Sequence, residues 1–155
     1  MNIVENKQLF IDQATALVYG EENLITNLSN LSALYKEYLP NTNWVGFYLL
    51  DEINNNLVLG PFQGKVACTR IPFNKGVCGY CYTTRETIYV EDVHKFPGHI
   101  ACDSATNSEL VVPIIQNDKV VALLDIDSIE FNRFTKEEVE SFTEVTKKVF
   151  EKIKF

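Results

Sequence analysis

Four cysteines, Cys68, Cys78, Cys81 and Cys102, are the residues of this chain whose type and spacing most plainly offer chemistry. A thiol serves as a nucleophile, a metal ligand or a small apolar side chain, according to its surroundings. The first 20 residues have no basic start followed by an apolar block. The expectation is therefore a chain without a secretory signal, working in the cytoplasm, where structural disulfides are rare. Three readings follow. Each cysteine is simply buried; or Cys78-x-x-Cys81 is half of a zinc site completed from Cys68, Cys102, His94 and His99; or one thiolate attacks a substrate and a second resolves the product. Structural zinc sites usually show two tight pairs, and only one is present here, so no metal is expected. A thioredoxin-like role for Cys78 and Cys81 lacks the βαβ context that motif needs. Cys78 lies in Gly76-Val77-Cys78-Gly79 and Cys102 in Gly98-His99-Ile100-Ala101-Cys102-Asp103-Ser104. Both are loop or helix-start contexts, where backbone amides and a helix dipole lower a thiol pKa.

Carboxylates form the second group. Asp125 and Asp127 interrupt the apolar run Val120–Asp127, and two residues apart on a strand they share a face. Glu109 heads the preceding strand. Counting out from the turn pair Asn117-Asp118 sets 116 opposite 119, then 110 opposite 125 and 108 opposite 127, which leaves Glu109 out of phase with the aspartates. A one-residue bulge or a different turn would bring all three acids to one face. Gathered against an apolar wall, they would keep at least one carboxyl protonated near neutral pH, able to bind an ammonium group and to give a proton to a weakly basic oxygen. The plainer alternative is strand-end acids facing solvent. Trp44 and Tyr48 share a strand face with Gly46 between them, as core or as a pocket wall, and the glycine leaves room for something to approach.

Periodicity indicates the elements that must position these groups. Residues 5–19 and 23–39 carry apolar residues at three- and four-residue intervals and read as amphipathic helices ended by Gly20 and Pro40. The runs 44–50 and 57–62 flank the polar turn 51–56 and read as a hairpin, and a third strand covers 67–71. A short helix at 77–85 and a strand at 87–90 follow. Strands 109–116 and 120–127 form a second hairpin. Thr135-Lys136-Glu137-Glu138 is a capping box that opens a last helix. Helices flanking hairpin-connected strands predict an α+β fold with a central antiparallel sheet.

Composition excludes several classes. With 14 basic and 21 acidic residues and a net charge of −7, the chain offers no basic surface for nucleic acid. No apolar run approaches the roughly 20 residues that span a bilayer, so no membrane partner is expected. Hydrophobic residues at 46% over 155 positions suffice for one packed domain, 1–155, without disulfide staples. There is no GxGxxG and no P-loop, hence no cofactor is expected.

The segments Asn43-Trp44-Val45-Gly46-Phe47-Tyr48, Leu59-Gly60-Pro61-Phe62-Gln63-Gly64-Lys65, Ala67-Cys68, Arg70-Ile71-Pro72-Phe73, Gly76-Val77-Cys78-Gly79, Asp92-Val93-His94, Phe96–Ala105, Ser108-Glu109 and Leu124-Asp125-Ile126-Asp127-Ser128 together resemble the free methionine-(R)-sulfoxide reductases, which are built on a GAF domain. The resemblance runs over essentially the whole chain. It implies a GAF-like catalytic domain, usually homodimeric, acting on free methionine-(R)-sulfoxide. It also implies Cys102 as attacking thiol, Cys68 as principal resolving thiol and Cys78 as an auxiliary one, recycled by thioredoxin. Glu109, Asp125 and Asp127 become substrate-binding acids, and Trp44 and Tyr48 a wall for the methyl group. Cys81 departs from the family pattern, either as an inert buried thiol or as a second partner for Cys78. The rival reading is a GAF domain that binds a small molecule without chemistry, against which the expectation of no attached output domain weighs.

Overall fold

The computed structural model describes residues 1–155. Six antiparallel strands form one sheet: β1 (Trp44–Asp51), β2 (Asn56–Gly64), β3 (Arg70–Pro72), β4 (Ile88–Val90), β5 (Ser108–Gln116) and β6 (Lys119–Ser128), in the order β3-β2-β1-β6-β5-β4. The helices are α1 (Lys7–Val18), α2 (Leu24–Glu37), α3 (Gly76–Thr84) and α4 (Lys136–Phe150), with a single 3-10 turn at Val93–Lys95. The α+β expectation with a central antiparallel sheet is met.

Alternation along the strands divides the molecule into two apolar layers. Val45, Phe47, Leu110, Val112, Leu124 and Ile126 face the amphipathic helices α1, α2 and α4. Those helices return Phe10, Leu31, Tyr35, Phe142 and Val149, all buried. Tyr35 buries its hydroxyl there against Thr146 Oγ1 at 2.7 Å, as a buried phenol requires a partner. The other face carries Trp44, Tyr48, Val111 and Leu123 beneath α3. At the start of α4 the expected capping box is present: Thr135 Oγ1 accepts from the Glu138 amide at 3.1 Å, and Glu138 Oε1 accepts from the Thr135 amide at 3.1 Å.

One irregularity decides the site. Asn117 and Asp118 take φ of 51° and 62°, the double left-handed turn that suits a two-residue hairpin. Gln116 pairs with Lys119 and Ile115 with Val120, as counted from the sequence, but Ile114 pairs with Ala122. Val121 is therefore an extra residue in β6. The bulge advances the register by one, so that Glu109 faces Asp127 and Val111 faces Asp125. Straight counting put Glu109 on the wrong face, and the bulge is the correction. The third strand covers Arg70–Pro72 instead of the expected 67–71, and Cys68, outside the ladder, is disulfide-bonded to Cys102.

Candidate active site

Glu109, Asp125 and Asp127 project from adjacent strands onto the α3 side of the sheet. Glu109 and Asp125 are 7% and 5% exposed, too little for water to stabilise two charges. Burial, reinforced by the charge of Asp127, pushes the Glu109 carboxyl up to about 8. Burial also holds Asp125 and Asp127 well above the usual carboxylate range, with Glu109 repelling the first and Asp125 the second. No lysine or arginine pairs with any of them. The cation-capable group beside the cluster is His99, whose Nε2 lies 3.7 Å from Glu109 Oε1 and which burial pushes toward the neutral form. Asp125 Oδ1 and Asp127 Oδ1 are buried without a partner. Buried acceptors are rarely left open, so this arrangement calls for a ligand rich in N–H donors.

An aromatic wall stands over the acids. Trp44 and Tyr48 stack at 5.9 Å between centroids, and Phe62 backs Trp44 at 5.1 Å. The Trp44 indole N–H donates to the Lys65 carbonyl at 3.1 Å, and the Tyr48 hydroxyl donates to the Cys68 carbonyl at 2.9 Å. Both polar edges are thus bound to the 65–68 segment. Gly46 does not leave space for a ligand, as the sequence suggested. A Cβ there would meet Phe62 Cβ at 2.3 Å and Trp44 Cη2 at 2.8 Å, so the missing side chain admits this aromatic packing instead. Gly46→Ala is expected to cost about 1–3 kcal/mol of stability through overpacking. Denaturant unfolding checks the loss, and an unchanged midpoint would show that Phe62 gives way freely.

Cys68 and Cys102 form a disulfide, with Cα atoms 5.3 Å apart. Cys102 borders the same cavity as Trp44, Tyr48, Glu109, Asp125 and Asp127. Cys78 borders it too, from the first turn of α3. Here the structure corrects the sequence reading: burial and the neighbouring Asp125 push the Cys78 thiol well up, overriding any helix-start effect. Cys81 is fully buried, and its Sγ points to the Val111 carbonyl at 3.8 Å. Burial pushes that thiol up as well.

The four-ligand set imagined around Cys78-x-x-Cys81 is not assembled. Cys68 and Cys102 are bonded to each other, and His94 Nε2 pairs with Asn107 Oδ1 at 2.9 Å. A different trio, Cys78, Glu109 and Asp125, has ligand atoms within 4.8 Å of one another and is the set able to hold an ion. Its oxygen acceptors equally suit the N–H donors of an ammonium group. His99, which the sequence offers only as a metal ligand, borders the cavity, as do Asp103 and Thr106, which the sequence does not single out. The sequence signal for all three was their place in the segment around Cys102.

Comparison with known proteins identifies the family. Residues 31–149 match the model of the GAF domain. The free methionine-R-sulfoxide reductase of Escherichia coli is 51% identical over 123 residues, 79% of this chain and 73% of that one. The Saccharomyces cerevisiae enzyme of the same name is 46% identical, over 96% of this chain and 83% of its own. The chain belongs to the free methionine-R-sulfoxide reductase family of GAF domains. Within this family the solved Neisseria meningitidis reductase, in complex with its substrate, superposes with a TM-score of 0.90 at 37% identity, covering 97% of this chain and 90% of that one. The reduced form of the Staphylococcus aureus reductase gives 0.87 at 46% identity, covering 94% of each chain.

Proposed function

We propose that this protein reduces free L-methionine (R)-sulfoxide to L-methionine, with residues 1–155 acting as one catalytic domain and Cys102 as the attacking thiol. The observation that carries the assignment of residues is a disulfide-forming cysteine pair set against three buried, partly unpartnered acids and an aromatic stack.

The Cys102 thiolate attacks the sulfoxide sulfur while a protonated carboxyl of the Glu109/Asp125/Asp127 cluster gives its proton to the sulfoxide oxygen. The attack joins the two sulfurs; the protonated oxygen then passes from the substrate sulfur to the Cys102 sulfur as the S–O and transient S–S bonds break, leaving Cys102 as a sulfenic acid and releasing methionine. The substrate sulfur gains two electrons and the Cys102 sulfur loses two. Cys68 then attacks the sulfenic sulfur, water leaves and the Cys68–Cys102 disulfide forms. A thioredoxin-class dithiol in the reducing cytoplasm restores both thiols by exchange. Cys78, whose raised thiol makes it the slower nucleophile, is the auxiliary resolver.

The acids take the substrate's α-ammonium, loop amides near Cys102 take its carboxylate, and Trp44 and Tyr48 hold its methyl group. A peptide-bound sulfoxide lacks both backbone charges and does not fit this scheme. The working unit in this proposal is a homodimer.

Mass spectrometry of fully reduced protein after one exposure to the free R isomer tests the reading, with the S isomer and a peptide-bound sulfoxide as controls. The expected result is loss of two hydrogens, a Cys68–Cys102 link and stoichiometric methionine with the free R isomer alone. Four unchanged thiols and no methionine would favour the non-catalytic binding domain. Cys68→Ser is expected to keep the first turnover near the parent rate and to slow thioredoxin-driven turnover by about 10-fold or more. Normal recycling in that variant would make Cys78 or Cys81 the resolver.

A further inference from the structure

We propose that Asn43 is a positioning residue that fixes the attacking segment against the acid-bearing strand. Asn43 sits one residue before Trp44, at the entry to β1. Its backbone amide donates to the carbonyl of Asp127 at 2.9 Å. Both hydrogen bonds of its side-chain amide go elsewhere: Nδ2 donates to Asp103 Oδ2 at 2.9 Å and to Thr106 Oγ1 at 3.1 Å. Asp103 follows Cys102 directly. One residue therefore grips the proton-donating side of the reaction with its backbone and the nucleophile's side with its side chain.

The remaining contacts support a positioning role. Asp103 Oδ1 accepts from the Ala105 amide at 2.9 Å, so the carboxylate that Asn43 holds also folds the turn after Cys102. Asn43 Oδ1 is buried without a partner, so the side chain's hydrogen bonds run through Nδ2 alone, to Asp103 and Thr106. Its orientation follows from the network, since the reverse amide flip would set an oxygen against the Asp103 carboxylate. The anchors within 98–102 are of other kinds: His99 Nε2 lies 3.7 Å from Glu109 Oε1 and Ile100 packs beside Gly76, while Gly98 adopts φ of 75° in open surroundings. On the C-terminal side of Cys102 the fixed point is Asp103, held by Asn43. Attack on sulfur needs the thiolate placed to within about an ångström, and a misplacement of that size costs on the order of 100-fold in rate.

This inference rests on Cys102 being the attacker, and the experiment separates the two. Single-turnover methionine formation from the free R isomer is measured for reduced parent, Asn43→Asp, Asp103→Asn, the double variant and Cys102→Ser. Asn43→Asp removes the donor and opposes two carboxylates, so the rate constant is expected to fall about 100-fold with the substrate concentration at half-maximal rate nearly unchanged. Asp103→Asn is expected to fall in the same direction. The double variant restores the pair with donor and acceptor exchanged, and its rate is expected to return to within about 10-fold of the parent. A double variant no faster than either single one, or a loss confined to substrate affinity, overturns the proposal. Retained turnover in Cys102→Ser overturns the underlying assignment instead.

Discussion

Cys102→Ser protein is expected to form no methionine from the free R sulfoxide, even with a large excess of small-molecule dithiol. A hydroxyl at this position is a far weaker nucleophile toward sulfur than a thiolate, and no other thiol of the protein replaces it. Cys68 is the neighbour to which Cys102 bonds, Cys78 is buried with its thiol pushed up, and Cys81 is fully buried against the Val111 carbonyl. The loss is expected to exceed about 10⁴-fold in single turnover, the scale seen when an enzyme's nucleophile is removed. External dithiol does not rescue the variant, because it acts after the sulfenic acid has formed. Methionine assayed by chromatography decides the matter: turnover within about 10-fold of the parent would assign the attack to another cysteine.

Glu109→Gln carries the second largest effect, and it acts in opposite directions on activity and stability. Glu109 is raised by burial and by Asp127 to about 8, against an ordinary glutamate value near 4.5. Below about 8 it holds a proton that it can deliver, so the parent rate is expected to fall as pH rises through that value. The glutamine variant loses this donor, and its single-turnover rate is expected to drop about 100-fold near neutrality. The three acids titrate as a coupled set, so the high-pH limb belongs to the cluster. Asp127→Asn is expected to lower activity most on the low-pH side of that limb, where the parent cluster still holds its proton.

The stability effect follows from linkage. The folded value lies above the unfolded one, so between about 4.5 and 8 the unfolded chain binds fewer protons and stability falls as pH rises. Below 4.5 both states are protonated and the contribution is fully present. Glutamine is neutral throughout, so the variant is expected to gain on the order of 5 °C in Tm at pH 8 and little at pH 4. Scanning calorimetry at the two pH values checks it. A variant equally or less stable than the parent at pH 8 would show that the Glu109 carboxyl is not a strained group.

Much of this was legible from residue order. The capping box at Thr135, the Asn117-Asp118 turn and the change of period after Pro40 are local, and local stereochemistry is enough to set them. The same holds for the cysteine and acid candidates, which stood out because polar or reactive groups interrupt apolar runs. Gly46 shows where local reading stops. Its smallness was evident, but whether the gap admits a ligand or the Phe62 and Trp44 rings depends on a strand that pairs through the 51–56 turn. Cys78 is a second case: its helix-start position suggested activation, and burial beneath the sheet reversed the sign.

The sequence by itself determined the element types, the antiparallel hairpins, the membership of the reductase family and the identity of the groups that bear chemistry. All of these depend on residue type and short-range spacing. Only the tertiary structure decided that Glu109 joins Asp125 and Asp127, because the face a strand residue takes alternates with every position and a single extra residue at Val121 inverts it. Only the packed chain, too, sets the charge state of that cluster, since a carboxyl's proton affinity depends on the water and charges removed from around it, which no local stretch of sequence contains.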